Sequence, residues 1–385
     1  MKTLVLDLPQ ASAKSYKIFV GCGALKNVPK ILRQLHHPAS RYLIITDTIV
    51  KKIAGDALLQ TLKKANLKAD LVTFPTGEKN KNERTHSKLI HRMLAKKCDR
   101  DTMILALGGG VVGDLAGYVA ATYMRGISYV QIPTTLLAMV DSSIGGKVGV
   151  DTPSGKNLIG TFWHPQAIIV DTDFLKNLPE QQLASGLMEA VKIFLTHDHE
   201  FFEFTQKNWS KIFDLKSNVK TKNFLQKQKK SSLLQKILTR AIQLKIDVIT
   251  RDERENSERM VLNFGHTIGH AVEHLSKYKF SHGYSIALGM LVETKISQLL
   301  GILSEKDFQI IRSTFKQFSI QEKDLQKFST QAVLSLTRID KKSINAKARY
   351  IFLEKIGKVK NVNNMFAHEV DPKIVREALH FFSVR

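Results

Sequence analysis

The feature that most constrains the fold is an alternation of two sequence patterns between Arg41 and Val170. Short apolar runs rich in β-branched residues, typical of buried strands, alternate there with longer amphipathic stretches typical of helices. The expected strands are RYLIITD, ADLVTFP, TMILALGGG, YVQIPTT and AIIVD, and the expected helices are Thr48 to Ala65, Asn82 to Lys97 and DLAGYVAATYM. Because parallel strands are joined by right-handed crossovers, this alternation predicts a Rossmann-like, largely parallel sheet flanked by helices.

The second half of the chain carries a different pattern. After about Leu178 the strand signal fades, and periodic segments predict helices over Glu180 to Leu195, Leu233 to Arg254, Phe264 to Leu275 and Ser285 to Leu300. We therefore expect an α/β N-terminal domain over residues 1–177 and a mainly α-helical C-terminal domain over residues 178–385. Open parallel sheets bind ligands beyond the carboxyl ends of their strands, so we expect the cleft between these domains.

The composition restricts the partners of the protein. Its formal net charge of +23 favours anionic partners, either nucleic acid or a small phosphorylated or carboxylated substrate. Much of the excess lies in the Lys-rich stretch from Lys207 to Ser232, which has little Arg and only scattered aromatic residues. We interpret this stretch as a solvated surface insertion, so nucleic acid is not the expected partner.

Cysteine usage and hydropathy favour a cytoplasmic protein. Cys22 and Cys98 are far apart and form no C-x-x-C motif, which suits a reducing compartment. The N-terminal apolar run is too short for a signal peptide, and no window approaches the roughly 18 apolar residues that span a bilayer. We therefore expect no membrane partner.

A glycine-rich turn follows the third expected strand. Gly108 to Gly113 fits G-x-G-x-x-G, in which glycines let the backbone approach a pyrophosphate and a helix N-terminus supplies N–H donors. The acidic ribose partner expected about 20 residues later is absent. A dinucleotide site and a tight turn without ligand both remain open. Asp47, at the end of the first strand, is equally open between a ribose contact and a helix N-cap.

Two further segments carry polar residues near strand ends. GEKNK, Gly77 to Lys81, follows a strand and suits an ordinary helix start, because Glu78 stabilises a helix N-terminus. The segment Thr134 to Gly160 is harder to explain by packing. It places polar and charged side chains on a backbone with five glycines, which favours a polar ligand: Asp141, Lys147, Asp151, Lys156 and Asn157.

The helical half contains candidate metal ligands. Glu189 lies three residues before Lys192, and His266 and His270 are four residues apart, so that each pair shares one helix face. A Glu with two histidines is a ligand set of catalytic zinc sites. Spacing alone pairs His266 with His270 and leaves His282 spare, while a structural role for any one histidine stays open.

Other charged residues of this half have an ordinary explanation. We interpret His197 and His274 as surface residues. From the residues alone, Glu255 and Arg259 suit the exposed surface of a helix.

Taken in order, these motifs resemble the 3-dehydroquinate synthase family of sugar phosphate cyclases. The matching blocks cover most of Arg41 to Gly357, and the central one is highly specific. They are GEKNK, GGGVVGDLAGYVAATYMRG, QIPTTLLAMVDSSIGGKVGVDTPSGKNLIG, LASGLMEAVK, DERENSERMVLNFGHTIGHAVE, HGYSIALGM and DKKSINAKARYIFLEKIG.

The resemblance implies a cofactor, a metal and a set of site residues. NAD would bind the N-terminal domain, and a divalent ion, zinc or cobalt, would bind Glu189, His266 and His282. The NAD contacts would be Asp47, Glu78, Lys81, Gly109, Gly110, Val111, Asp114, Thr134, Thr135, Lys156, Phe174, Leu175, Lys176 and Asn177. The substrate contacts would be Arg125, Asp141, Lys147, Asn157, Lys192, Lys245, Arg259, Asn263, His270, Lys341 and Lys342, with Lys147, Glu255 and His270 catalytic. Arg125 would reach the phosphate of a neighbouring subunit, because the family is typically dimeric, and one of Lys341 and Lys342 would also approach phosphate.

The implied activity converts 3-deoxy-D-arabino-heptulosonate 7-phosphate, an anionic sugar phosphate, to 3-dehydroquinate and phosphate. NAD would oxidise the substrate, phosphate would leave by elimination, and re-reduction, ring opening and an aldol addition would follow. The alternatives are 2-deoxy-scyllo-inosose synthase, 2-epi-5-epi-valiolone synthase, a metal-dependent alcohol dehydrogenase of related architecture, and a basic nucleic-acid-binding module on a cyclase scaffold.

Three positions depart from the family pattern. Ser257 stands where Gly is frequent, Tyr284 where an acidic residue is frequent, and Met139 where Gln is usual. All three lie beside expected site residues rather than at them, so we expect altered fine tuning rather than lost activity.

Overall fold

The computed structural model of the protein describes residues 15–35, 39–213, 224–339 and 348–382. Its strands are β1 Lys17–Gly21, β2 Arg41–Asp47, β3 Ala69–Phe74, β4 Thr102–Gly108, β5 Tyr129–Pro133, β6 Lys147–Thr152, β7 Gly155–Phe162, β8 Ala167–Asp171, β9 Arg349–Ile351, β10 Leu353–Lys355, β11 Lys358–Val359 and β12 Ala367–Glu369. Its helices are α1 Val28–Arg33, α2 Thr48–Val50, α3 Asp56–Lys64, α4 Glu83–Ala95, α5 Gly110–Thr122, α6 Glu180–His197, α7 His199–Ile212, α8 Phe224–Arg251, α9 His266–Leu275, α10 His282–Leu299, α11 Glu305–Gln317, α12 Thr330–Ile339 and α13 Pro372–Phe381. Within these ranges, no helix is long and apolar enough to cross a membrane.

Six strands form one sheet in the order β1-β8-β5-β4-β2-β3, and every pairing between neighbours is parallel. The central strand β4 is buried along its whole length, which is why its sequence is almost continuously apolar. The prediction of a parallel α/β sheet is therefore confirmed.

The two faces of this sheet pack against different helices. Along β4, Ile104 and Ala106 face a core shared with α5, whereas Met103 and Leu105 face a core shared with α1 and α3. This alternation follows from the two-residue period of a strand. Helices on both faces leave the carboxyl edge of the sheet as the place where the connecting loops collect.

The segment from Lys147 to Phe162 differs from its prediction. It is an antiparallel hairpin of β6 and β7 rather than flexible backbone, and Gly149 pairs with Gly160 in its register. A Cβ on Gly160 would lie 2.2 Å from the carbonyl oxygen of Val148, so the two strands need glycine to approach each other there. The first strand, Lys17–Gly21, and the short strands β9 to β12 were also not predicted.

In the helical half, α9 and α10 pack almost backbone to backbone. A Cβ on Gly289 would lie 1.9 Å from the carbonyl oxygen of Gly265. The start of α10 also packs closely on α6, since a Cβ on Gly283 would lie 2.1 Å from the carbonyl oxygen of Ser185. These glycines bring the N-termini of α9 and α10 to the middle of α6.

Several helix boundaries differ from those predicted, and the starts of α8 and α9 illustrate this. Helix α8 begins at Phe224, nine residues before the predicted start at Leu233, and residues 214–223 of the Lys-rich stretch lie outside the described ranges. Helix α9 begins at His266, because Gly265, at φ 77°, separates it from a 3₁₀ turn over Glu258–Asn263.

Candidate active site

Three acid and histidine side chains meet where α6, α9 and α10 converge. Glu189 lies in the middle of α6, and His266 and His282 are the first residues of α9 and α10. Glu189 Oε1 lies 3.8 Å from His266 Nε2 and 3.4 Å from His282 Nε2. One ligand atom from each residue falls within 4.8 Å of the others. A tetrahedral zinc ion with bonds of about 2.1 Å places its ligands roughly 3.4 Å apart, so this spacing suits a metal.

The remaining polar atoms of these residues are directed away from the shared space. His266 Nδ1 lies 3.2 Å from the Phe264 carbonyl oxygen, His282 Nδ1 lies 3.1 Å from Glu273 Oε2, and Glu189 Oε2 accepts a hydrogen bond from Lys192. Outer partners of this kind fix the ring orientation of metal-binding histidines. Glu189 Oε1 is buried and has no hydrogen-bond partner of good geometry among the described residues. A buried orphan carboxylate oxygen facing two imidazoles fits a divalent cation.

The electrostatics of this group show how strongly its members interact. Burial lowers the pKa of His282, but the hydrogen bonds and charges of Glu189 and Glu273 outweigh it and raise that pKa to about 9. Burial raises the pKa of Glu189, and the charges of Lys192 and His282 outweigh it, so that the net shift is downward. Glu189 is therefore held as a carboxylate, the form that binds a metal.

Further cations lie next to these ligands. Lys245, on α8, donates to the carboxylate and carbonyl oxygens of Asp141, and the charges of both Lys245 and Lys192 act on Asp141. Their combined charge outweighs the burial of Asp141 and lowers its pKa. Arg259 is buried and donates to the carbonyl oxygens of Gly145 and Glu253. Lys192 contacts Glu189 and Lys245 contacts Asp141, and these two cations together with Arg259 suit an anionic ligand.

His270 lies beside the three candidate ligands but is not one of them. Its ring centroid is 5.3 Å from that of His266 and 6.0 Å from that of His282. A separate set of contacts joins the start of β6 to the 3₁₀ turn before α9. There the Glu255 carboxylate accepts hydrogen bonds from Lys147 and Asn263.

A second charged group surrounds the β6–β7 hairpin, and we name it the hairpin cluster: Glu78, Lys81, Asp114, Asp151, Lys156 and Asn157. Lys81 is its centre, with Nζ 3.0 Å from Glu78, 3.3 Å from Asp114, 3.5 Å from Asp151 and 2.8 Å from Asn157 Oδ1. The carboxylates outweigh burial and raise the pKa of Lys81. At Asp114, the effect of burial is larger than the opposing effect of the Lys81 charge, and the pKa of this carboxyl is raised to about 6.

The other expected NAD contacts follow the carboxyl ends of parallel strands. Asp47 lies at the carboxyl end of β2. The corresponding residues at the other strands are Gly109 and Gly110 after β4, Thr134 and Thr135 after β5, and residues 174–177 after β8. Asp47 Oδ1 caps α2 by accepting from the N–H groups of Ile49 and Val50, so the N-cap interpretation holds whether or not it also binds a ribose. Leu175 is buried in the core, so a cofactor could meet only its backbone. Lys176 is exposed and pairs with Asp173.

Family comparisons agree with this geometry. The family model described as 3-dehydroquinate synthase N-terminal matches residues 71–185, and the one described as 3-dehydroquinate synthase C-terminal matches residues 186–343. The chain belongs to the 3-dehydroquinate synthase family. A 3-dehydroquinate synthase of Thermodesulfovibrio yellowstonii is 39% identical over 366 residues, which cover 94% of this chain and 97% of that protein.

Solved structures of other sugar phosphate cyclases share the fold of this family member. A 2-deoxy-scyllo-inosose synthase complexed with carbaglucose-6-phosphate, NAD⁺ and Co²⁺ matches with a TM-score of 0.82 and 25% identity over 95% of this chain and 97% of its own. The 2-epi-5-epi-valiolone synthase of Streptomyces hygroscopicus subsp. jinggangensis 5008, with NAD⁺ and Zn²⁺ bound, has a TM-score of 0.84 at 24% identity over 98% and 99% of the two chains. The second match shows the fold alone.

Not every residue implied by the family resemblance lies at this site. Arg125 is exposed at the far end of α5, whose 13 residues separate it by about 20 Å from the glycines at the other end. Lys341 and Lys342 lie outside the described residues. Asn157, expected at the substrate, contacts Lys81 in the hairpin cluster. His274 is exposed as predicted, whereas His197 is mostly buried, and burial lowers its pKa.

Sequence reasoning assigned no role to Glu273. This buried residue of α9 places one carboxylate oxygen on His282 and the other on Lys156. A signal was present, because Glu273 lies seven residues after His266 and three after His270, on the same helix face. Tyr16 was missed as well; its hydroxyl accepts from the Gly145 N–H at 3.1 Å, beside the Arg259 guanidinium.

The three departures from the family pattern have ordinary contacts. Met139 is fully buried in the helical core. The Ser257 hydroxyl donates to the carbonyl oxygen of Asn364 at 3.0 Å, and the Tyr284 hydroxyl donates to Asp324 at 2.6 Å.

Proposed function

We propose that the protein is a 3-dehydroquinate synthase, which converts 3-deoxy-D-arabino-heptulosonate 7-phosphate to 3-dehydroquinate and phosphate. The observation that carries the proposal is that Glu189 Oε1, which accepts no hydrogen bond of good geometry from the described residues, lies between two histidines and next to buried cations. Such a site can receive a divalent metal together with a substrate that bears negative charge. Full-length similarity to a 3-dehydroquinate synthase supports this choice among the cyclases.

Two bound groups supply the chemistry that side chains lack: NAD accepts and returns a hydride, and a divalent metal polarises substrate oxygens. Glu189, His266 and His282 would hold the metal, with zinc or cobalt suited to a carboxylate and two imidazoles. The hairpin cluster and the loops after β2, β4, β5 and β8 would hold NAD. The N-terminus of α5 offers free N–H groups and a positive dipole end to its pyrophosphate.

The buried cations bind and orient the substrate. Lys192, Lys245 and Arg259 offer charge-assisted hydrogen bonds to the carboxylate and phosphate that the substrate carries. Asp141 keeps Lys245 directed at the site through their ion pair. Their packing leaves these groups little freedom, so the orientation of the substrate is largely set before binding.

Proton movements would fall to His270, beside the metal ligands, and to Glu255. His270 is half-buried, and its imidazole would act as a general acid or base or donate to the phosphate. Glu255, positioned by Lys147 and Asn263, is the carboxylate available to accept a proton from the substrate. The substrate phosphate would itself accept the proton of the adjacent C–H.

We also propose a homodimer in which Arg125 of one subunit reaches the phosphate bound by the other. The exposure of Arg125 and its distance from the site of its own subunit support this. We further propose that the boundary between the two domains of the chain lies between residues 177 and 178. Mixing Arg125→Ala with an inactive Glu189→Gln variant should restore activity at one of the two sites in each mixed dimer; no restoration would contradict the shared site.

Phosphate release from the heptulosonate phosphate tests the proposed function. The metal-loaded protein should release phosphate with NAD, should stop after chelation, and should not accumulate NADH. Net NADH formation would indicate a dehydrogenase, and turnover of glucose 6-phosphate instead would indicate an inosose-forming cyclase. A salt-sensitive shift on DNA or RNA without phosphate release would favour the nucleic-acid-binding alternative.

A further inference from the structure

Glu273 joins the candidate metal ligands to the hairpin cluster. Its Oε2 lies 3.1 Å from His282 Nδ1, the nitrogen on the far side of the ring from Glu189, and its Oε1 lies 3.0 Å from Lys156 Nζ. Lys156 in turn lies 3.9 Å from Glu78, which pairs with Lys81. A continuous series of polar contacts therefore connects Glu189 with Lys81 through His282, Glu273, Lys156 and Glu78.

Glu273 thus forms a bridge between His282 and Lys156, and its buried position makes this bridge rigid. The residue is 6% exposed, and each of its two carboxylate oxygens contacts one partner, His282 or Lys156. Lys156 is also held from another side, with Nζ 4.6 Å from the centre of the Tyr278 ring. The contact of Lys156 with Glu273 ties the β6–β7 hairpin to α9, two parts of the molecule far apart in sequence.

Resting on the proposed function, we propose that Glu273 is a positioning residue that couples metal binding to dinucleotide binding. One oxygen orients the His282 ring so that Nε2 faces the metal, and the other fixes Lys156 at the dinucleotide site. When Nε2 of His282 is bound to a metal, the Nδ1–H group of the same ring stays directed at Glu273. This contact orders the Glu273 carboxylate and, through it, Lys156. Because binding free energies are reciprocal, a bound dinucleotide strengthens metal binding by the same factor.

The bridge has two arms, the contact of Glu273 with His282 and the contact of Glu273 with Lys156, and two variants separate them. In Glu273→Gln the side chain keeps its shape, but its amide nitrogen cannot accept a hydrogen bond, so one arm is lost and the negative charge disappears from both. Lys156→Met removes only the hairpin arm and leaves the His282 contact intact. Glu258→Gln is the matched control, because it removes a carboxylate of the same half that pairs with Arg251 at the surface.

The measurement is the dissociation constant of NAD with and without Zn²⁺, together with the Zn²⁺ dissociation constant from chelator competition. We expect NAD to bind the wild-type protein at least about 5-fold more tightly with metal. In both Glu273→Gln and Lys156→Met this ratio should fall to near unity. Zn²⁺ affinity should fall about 10- to 100-fold in Glu273→Gln only. Glu258→Gln should match the wild type in both constants.

The Co²⁺-loaded protein provides a readout that a purely structural role would not move. We expect the visible absorption bands of Co²⁺ to change in Glu273→Gln and not in Lys156→Met, because only the first alters a partner of His282. A wild-type ratio of one, or a ratio kept in Glu273→Gln, overturns the coupling. If coupling between NAD and Zn²⁺ binding is absent but phosphate release is normal, the proposed function stands and only the coupling is refuted. If coupling is present but phosphate is not released, only the proposed function is refuted.

Discussion

The candidate metal ligands and the hairpin cluster are both charged groups, but they satisfy their charges differently. At the metal ligands, Glu189 Oε1 is buried, accepts no hydrogen bond of good geometry from the described residues and lies 3.8 Å and 3.4 Å from two histidine nitrogens. In the hairpin cluster, Lys81 is surrounded by three carboxylates and an amide oxygen within 3.5 Å. Within the described part of the chain, the first group leaves a buried carboxylate oxygen without a hydrogen bond of good geometry, whereas the charges of the second are already paired with one another.

This difference predicts two kinds of binding. An orphan buried carboxylate oxygen is costly, so a cation that binds there removes a penalty already present in the protein. A cluster whose charges are already paired must exchange existing contacts for new ones when a ligand binds, so the net gain in binding free energy is smaller. We therefore expect near-complete loss of function from changes at the metal ligands and graded effects from changes in the hairpin cluster.

The largest expected effect comes from removing a metal ligand. His266→Ala and His282→Ala should each lower the bound metal from about one ion per chain to near none, because two protein ligands rarely hold zinc. Metal content after dialysis, measured by elemental analysis, checks this, and phosphate release should disappear with the metal. Full metal content in either variant would contradict the assignment of that ligand.

His270→Ala separates the metal from its surroundings. The variant should keep its metal, because the His270 ring is not among the three grouped ligands. Its turnover should fall about 10²- to 10⁴-fold, the range for loss of an acid–base group. Metal analysis and kcat on the same preparation give both values. If His270→Ala lost as much metal as His266→Ala, the pairing suggested by helical spacing would be the correct one.

A graded effect is expected when the hairpin cluster loses its centre. Lys81→Met leaves Glu78, Asp114 and Asp151 close together without their shared cation. Removing one partner of a fully buried pair costs about 3–5 kcal/mol, and these carboxylates are partly exposed, so we expect about 1–3 kcal/mol. Urea unfolding measures the loss, and NAD affinity should fall with metal binding unchanged.

The pH dependence of that loss provides its internal control. The pKa of Asp114 is already raised to about 6 in the folded protein, above its unfolded value, and losing Lys81 raises it further. Folded Lys81→Met protein therefore takes up protons that the unfolded chain does not bind, which stabilises it as the pH falls. The difference from the wild type should be smaller at pH 5 than at pH 8. An equal difference at both values would show that charge is not its cause.

Much of the fold could be predicted because burial leaves a periodic trace in the sequence. β2, β4 and β8 were located from their apolar, β-branched runs, since both faces of a parallel strand are covered. The β6–β7 hairpin was missed because its glycines and charges resemble those of a loop. Its pairing depends on close backbone approach at Gly149 and Gly160, which sequence periodicity does not record.

The grouping of the site could not be predicted from spacing alone. His266 and His270 share a helix face, and local geometry therefore favoured them as the metal pair. His282 replaces His270 in the observed group because α9 and α10 pack closely at Gly265 and Gly289. Contacts between helices follow from such packing, and only the family resemblance supplied that information before the structure did. Glu273 shows the limit of the resemblance, which named residues of known role and left the residue between them without one.

The smallest expected effect tests whether the metal ligands depend on their distant supports. Tyr284 lies two residues after His282, and its hydroxyl donates to Asp324 and accepts from the Gln321 N–H at 3.1 Å. Tyr284→Phe should cost about 0.5–1.5 kcal/mol of unfolding free energy, because the exposed Gln321 N–H can bind water instead and the buried Asp324 keeps its ion pair with Lys327. Urea unfolding should register this loss while metal content and kcat stay within about 2-fold of the wild type, since α10 is positioned at Gly283 and Gly289 rather than by this hydroxyl. A loss of metal in Tyr284→Phe would show that the start of α10 is held from its outer side, and the metal ligands would then be less self-contained than the comparison with the hairpin cluster requires.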